Sequence, residues 1–157
     1  MNDAYRLEEL RAAIASAQVT VPAVSGWSVG MHVQHCCLAM IGTCGVLTKS
    51  EPPPPPSRPP VIRVVVFTTG RIIRGRGQAP ERALPQADIS PAELTSLLEE
   101  AGRQVAAAGN LEPERWFKHF MFGVLKRDDA LKFLRIHNRH HLRIVSDIVS
   151  AQKGRST

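Results

Sequence analysis

Residues Arg127–Ser150, RDDALKFLRIHNRHHLRIVSDIVS, decide how this chain folds. Read as a helix turning about 100° per residue, they place Ala130, Leu134, His137, His141, Val145 and Ile148 on one narrow stripe. Lys132, Arg135, Arg139, Arg143 and Asp147 fall on the flanks and back. Two imidazoles therefore sit one turn apart inside an apolar face. A buried histidine must find a partner, and a buried pair at this spacing would repel if both took a proton. A divalent metal resolves both problems, because it binds neutral imidazoles and supplies the missing charge. The competing reading is a pair of hydrogen-bonded core histidines with no ion.

A third imidazole comes from an earlier helix. Ser28 is a good N-cap for a helix from about Val29 to Thr48, with Met31, His35, Leu38, Ala39, Gly42 and Val46 on one face. The small residues Ala39, Gly42 and Gly45 would let another helix approach closely. His32 lies at the edge of the stripe and reads as a surface group or a group behind the ligands. His35, His137 and His141 with a vacant fourth position match an open catalytic zinc site. Nickel, iron, manganese and cobalt also suit an all-histidine set. The HxxxH spacing lacks the glutamate of HExxH, which argues against a peptidase of that type. The metal would lower the pKa of a bound water towards about 7, or activate a thiolate.

Beyond the ligands, no catalytic residue and no organic cofactor site is assigned. His119 and His140 are candidates for a donor behind the ligands or a general base, against the simpler reading of structural histidines. Asp128, Asp129 and Asn138 read as surface or capping groups. Cys36 and Cys37 project about 100° and 200° away from His35 around the helix, so they read as packing thiols rather than ligands.

Outward from these two helices the chain is readable in pieces. Ala4 to Ala17 forms an amphipathic helix through Leu7, Leu10, Ile14 and Ala17. Glu51–Pro60, EPPPPPSRPP, ends the second helix and predicts a stiff extended loop. Val61–Ile73 is rich in β-branched residues, yet no partner strand is visible, so it reads as a short helix or helical turn. Arg74–Leu84 is a basic glycine-containing loop without the GxxxxGK[ST] of a phosphate loop, compatible with the mouth of a site. Ser90 and Glu93 make a capping box, with Pro91 at the first helical position, for a helix running to about Ala108 and stopping at Gly109-Asn110. Leu111–Lys126 reads as a connection whose aromatics, Trp116, Phe117, Phe120 and Phe122, close one end of the core. The pattern predicts an all-α fold, an antiparallel four-helix bundle with a long Pro-rich crossover, as one domain over residues 1–157 with the Pro-rich loop at 50–60.

At 157 residues the chain can bury one sizeable core. No run approaches the roughly 18 apolar residues of a membrane span, and MNDAYRLEEL lacks the apolar core of a secretory signal, so the expected address is the cytoplasm, away from membranes. Cys36, Cys37 and Cys44 form no CxxC and read as free thiols in a reducing compartment. The net charge is +6, but the basic residues are dispersed, which argues against nucleic acid. A nucleic-acid module would have to use the modest density at Arg71–Arg82.

The stretch WSVGMHVQHCCLAM, followed near the end by HNRHHLRI, resembles the DinB/YfiT-like superfamily of metal-binding four-helix bundles. HFMFGVLKRDDALKFLRIHNRHHLRIV is similar to its branch of uncharacterised DinB-like proteins, and the likeness runs from about Trp27 to Val149. The resemblance implies metal ligands at His35, His137 and His141, the positions matching the family motif. It also implies a site often found in a homodimer, and a small-molecule substrate: some such relatives are thiol-dependent transferases or isomerases that use low-molecular-weight thiols, and many others have no known activity. Ile144 departs from the motif, where such relatives often carry Gln. Against this metal-dependent transferase or hydrolase stands a non-catalytic bundle, metal-stabilised or ligand-binding.

Overall fold

The computed structural model describes residues 3–75 and 79–155. Among them, five α-helices and two short strands follow in the order α1 (Leu7–Ala13), α2 (Val29–Lys49), α3 (Val61–Thr69), α4 (Pro91–Ala108), β1 (Trp116–His119), β2 (Gly123–Lys126) and α5 (Arg127–Arg155). Arg76, Gly77 and Gln78 of the basic loop lie outside the described residues.

Helix boundaries follow local chemistry. Ser28 is extended and its hydroxyl accepts from the Met31 amide, which starts α2. At α4 the capping box closes in both directions: the Ser90 hydroxyl accepts from the Glu93 amide, and the Glu93 carboxylate accepts from the Ser90 amide. The Asp3 carboxylate takes up two otherwise unpaired amides of α1, those of Leu7 and Glu8. The β-branched stretch is helical as α3 and stops at Gly70, whose φ of +63° is the left-handed conformation that glycine adopts without cost.

The expected all-α four-helix bundle is corrected on two counts. Only three helices are long, since α1 has 7 residues and runs into a 3₁₀ turn at Ile14–Ser16. Moreover, the predicted connection Leu111–Lys126 contains an antiparallel hairpin, with Trp116 opposite Lys126 and His119 opposite Gly123. Its three-residue loop ends on Gly123, at φ +70°, the positive-φ position that such loops favour. Four-residue strands carry too little alternation to announce themselves, and burial of Phe117 and Leu125 against the helices stabilises the pair.

The hairpin is fastened to the end of α2. The Arg115 guanidinium donates to the Thr48 and Ser50 carbonyls, and the Trp116 amide donates to the Ser50 hydroxyl. A cation thus meets the negative end of the helix dipole and satisfies carbonyls that the helix leaves open. Arg63 on α3 donates to the Val124 carbonyl and pairs with Asp129 at the start of α5, tying three elements together.

The main core lies between α2, α4 and α5. Cys36, Cys37, Met40, Cys44 and Leu47 of α2 meet Leu94, Leu98, Ala101 and Val105 of α4. This corrects the predicted inner face of α2, because Val46 is 37% exposed and Met31, Leu38 and Ala39 are only partly buried. The cysteine face is the core face, and the His35 face looks into a cavity. Among the described residues, nothing beyond α2's own neighbouring backbone comes within 4 Å of where a Cβ would sit at Gly42 or Gly45, so the close approach these small residues would allow is not used. By length and composition α2 is apolar enough to cross a membrane, contrary to the sequence reading, and 61% of its most apolar window is buried inside the structure. On α5 all six residues of the predicted stripe are buried. Asn138, expected at the surface, is fully buried, and its amide donates to the Tyr5 carbonyl.

Candidate metal centre

His35 is presented by the first half of α2, where Gly30, His32, Val33, Gln34, His35, Cys36 and Cys37 are all buried. His137 and His141 face it from α5. One nitrogen from each of the three rings lies within 4.8 Å of the others, so the three could hold a metal ion. His35 Nε2 and His137 Nε2 are 3.1 Å apart. Two ligands about 2.0–2.1 Å from a shared tetrahedral centre would stand about 3.3–3.4 Å apart, so this pair is near ligand spacing already.

Hydrogen bonds assign the free lone pairs. His35 Nδ1–H donates to the Ala83 carbonyl at 2.7 Å, which leaves Nε2 unprotonated. With Nε2 bare, the 3.1 Å contact to His137 is attractive only if His137 holds a proton there or a cation lies between. His137 Nδ1 is buried with no hydrogen-bond partner among the described residues. A purely structural ring would carry that penalty, about 1–3 kcal/mol, without return, whereas a ligand bond at its other nitrogen offsets it.

His141 is held from behind. Its Nδ1 lies 2.9 Å from His32 Nδ1, and His32 Nε2 lies 2.9 Å from the Ser25 hydroxyl, which also accepts from the Trp27 amide. When Ser25 accepts from His32, His32 accepts from His141 and His141 Nε2 is left bare. An ion bound at that nitrogen selects this direction over the reversed one. His32, read from its place at the stripe's edge as a surface group or a group behind the histidine cluster, is 3% exposed and takes the second position. Trp27 covers the cluster, with its ring centroid 5.1 Å from that of His35 and stacked on His141 at 6.3 Å. Neither Trp27 nor Ser25 was legible as part of the site, because both precede α2 and share no helical period with it.

Burial holds the rings neutral. It pushes His35 down against the opposing Ala83 bond, and pushes His137 and His141 well below the usual histidine range, with neighbouring imidazoles adding to the effect. Burial also lowers His32 and His140 to about 4 each. Neutral imidazole is the form that binds metal. Cys36, Cys37 and Cys44 are buried in the core as free thiols, and burial raises Cys37 to about 12 and Cys44 to about 11.

The histidines open on a cavity of about 780 Å³, within the range of small-molecule sites. His119 and His140, the two candidates outside the ligand set, both line it. Ile144, where the resemblance would place Gln, lines it as an aliphatic side chain. Asp128 and Asp129 lie in the first turn of α5, and neither belongs to the histidine cluster.

Comparison with known proteins gives one positive result: a family model described as "Protein of unknown function (DUF1569)" matches residues 5–147. No curated protein and no solved structure matches the chain. The match spans well over half of the sequence and includes all three clustered histidines, so the chain belongs to the DUF1569 family of proteins of unknown function.

Proposed function

We propose that this protein is a divalent-metal-dependent enzyme acting on a small molecule, with the metal held by His35, His137 and His141. The observation that carries the reading is three buried histidines from two helices converging at the floor of a cavity large enough for a substrate. Zinc suits three neutral imidazoles best, while nickel, iron, manganese and cobalt remain chemically compatible. An ion there would supply Lewis acidity to an oxygen or sulfur at its open position. The chain's own contribution is to orient the ligands through Ala83 and His32, keep them neutral by burial, and shield one side with Trp27.

Two reaction classes fit, a thiol-dependent transfer that uses a low-molecular-weight thiol and a hydrolysis. The first comes from the likeness to the DinB/YfiT-like proteins, as does a homodimer. The buried cysteines, with thiol pKa values raised by burial, are unsuited to act as the nucleophile, so a thiol would have to come from outside. The size of the cavity favours an enzyme over a bundle merely stabilised by metal, because a structural site is normally closed.

The test is metal content. Protein purified without a histidine tag should carry about one divalent ion per chain by plasma mass spectrometry, and His137→Ala should lose most of it. Equal, substoichiometric metal in both proteins would sink the reading.

A further inference from the structure

The hairpin contributes a polar group that the three-histidine reading does not use. His119 ends β1, and its Nδ1 accepts from two backbone amides of the loop, Met121 at 3.1 Å and Phe122 at 3.2 Å. Backbone amides only donate, so Nδ1 is unprotonated and the neutral ring carries its proton on Nε2. Aromatic neighbours fix the ring: it stacks on Phe120 and Phe122 with centroids 4.6 Å apart in each case, and Phe133 meets it edge-on at 4.7 Å. Burial lowers its pKa to about 4, so near neutral pH it stays a neutral donor. Nε2–H has no hydrogen-bond partner among the described residues, nor is it one of the sealed, unpartnered buried atoms, and the residue lines the cavity. A rigid donor with its proton assigned, on a residue that lines an open cavity, is suited to meet an acceptor on a ligand there.

The charges of the cavity say which kind. Among the described residues lining it are Arg74, Arg82 and Lys118, and no aspartate or glutamate. Arg74 is engaged with Asp147 at 2.6 Å. Neither Arg82 nor Lys118 pairs with a carboxylate among the described residues. The rest of the wall is largely apolar, including Leu38, Ile72, Phe120, Phe122, Phe133 and Ile144. A cationic ligand would find no counter-charge here, and a strongly hydrated one would lose its water against aliphatic and aromatic surface. An anion with an apolar body matches both features.

The geometry points to a small organic acid with an apolar or aromatic body as the ligand class, its acid oxygen accepting from His119 Nε2–H. This deepens the enzyme reading above by naming its substrate class, and it rests on that cavity being the substrate site. A hydrogen bond to a charged acceptor contributes about 1.5–3 kcal/mol, which corresponds to roughly tenfold or more in affinity.

The probe is 4-phenylbutyrate, titrated calorimetrically into the full chain alongside 4-phenylbutanamide and 4-phenylbutylamine. Each titration is run on protein as purified and again after chelation, so that acid–metal contact can be separated from acid–His119 contact. The acid should bind at least about tenfold tighter than the amide and the amine in both states. His119→Asn keeps an oxygen where Nδ1 stood, and with it the two loop bonds, but removes the distal donor. It should cut the acid-over-amide preference by at least about threefold, the remainder coming from Arg82 and Lys118, with melting close to wild type. In the unaltered protein the His119 Nε2–H resonance should move on adding 4-phenylbutyrate, a readout that does not depend on how the variant folds. Equal affinities after chelation, preference for the amine, a preference undiminished in His119→Asn, or an unmoved resonance would each overturn the assignment. Failure of metal uptake would leave the chelated titrations intact, so the two readings fail separately.

Discussion

His32 Nδ1 and His141 Nδ1 lie 2.9 Å apart, joining a residue of α2 to one 109 positions later on α5. The contact holds the His141 ring so that its other nitrogen can face His35 and His137, and Ser25 holds His32 in turn. An orienting partner of this kind commonly changes metal affinity about 10–100-fold when it is removed. His32→Ala should weaken metal binding by that order in competition with a chromophoric chelator. His32→Asn, which keeps an acceptor near the Nδ1 position, should recover part of it. Unchanged affinity in His32→Ala would show that His141 is oriented by packing alone.

Metal removal should destabilise the fold. An ion that binds only the native state at a hundredfold excess over its Kd contributes about 2.7 kcal/mol. For a domain of this size that corresponds to a melting shift of about 5–10 °C on chelation. Calorimetry with and without chelator measures it, and His35→Ala should melt at one temperature in both conditions.

Stability should also fall in mild acid. Burial lowers His119 from 6.5 to about 4, so between those values the unfolded chain binds a proton that the folded chain refuses. The stability this group contributes is therefore fully present above about pH 6.5 and is lost as pH falls towards 4. Urea midpoints of chelated protein should decline across that window, and the slope should be shallower in His119→Asn. An identical slope in the two proteins would assign the acid sensitivity to other groups.

The three thiols should be silent in the native state. Cys36 and Cys37 are fully buried, as is Cys44, and all three pKa values are raised by burial. A thiol reagent at pH 8 should label none of them in the folded protein and all three in denaturant. Rapid labelling of a native cysteine would reopen a nucleophilic role for it.

The start of α4 is a local device, distant in function from the histidines. Ser90→Ala removes the hydroxyl half of the capping box and should cost about 1 kcal/mol, or about 2–4 °C in melting temperature. Metal content should not change. Loss of metal in this variant would mean that α4 packing sets the ligand geometry through α2.

Helical periodicity was enough to bring out the histidines that could hold a metal, because His137 and His141 share a stripe with Ala130, Leu134, Val145 and Ile148, and burial on one face is a property of spacing. Capping was equally legible at Ser28 and Ser90, since a cap depends on neighbours three residues away. The hairpin was not, because two four-residue strands exist only through pairing with each other and support from Arg115 and Trp116 on the end of α2. Nor was the burial of His32 and Asn138. His32 lies at the edge of its stripe and Asn138 off its own, and each is enclosed because a residue distant in sequence, His141 for one and Tyr5 for the other, closes over it. One-dimensional spacing reports which side of an element is apolar; contacts between separate elements decide what that side meets. The three clustered histidines belong to the first kind of information, and the ring of Trp27, the His32 brace and the His119 donor belong to the second.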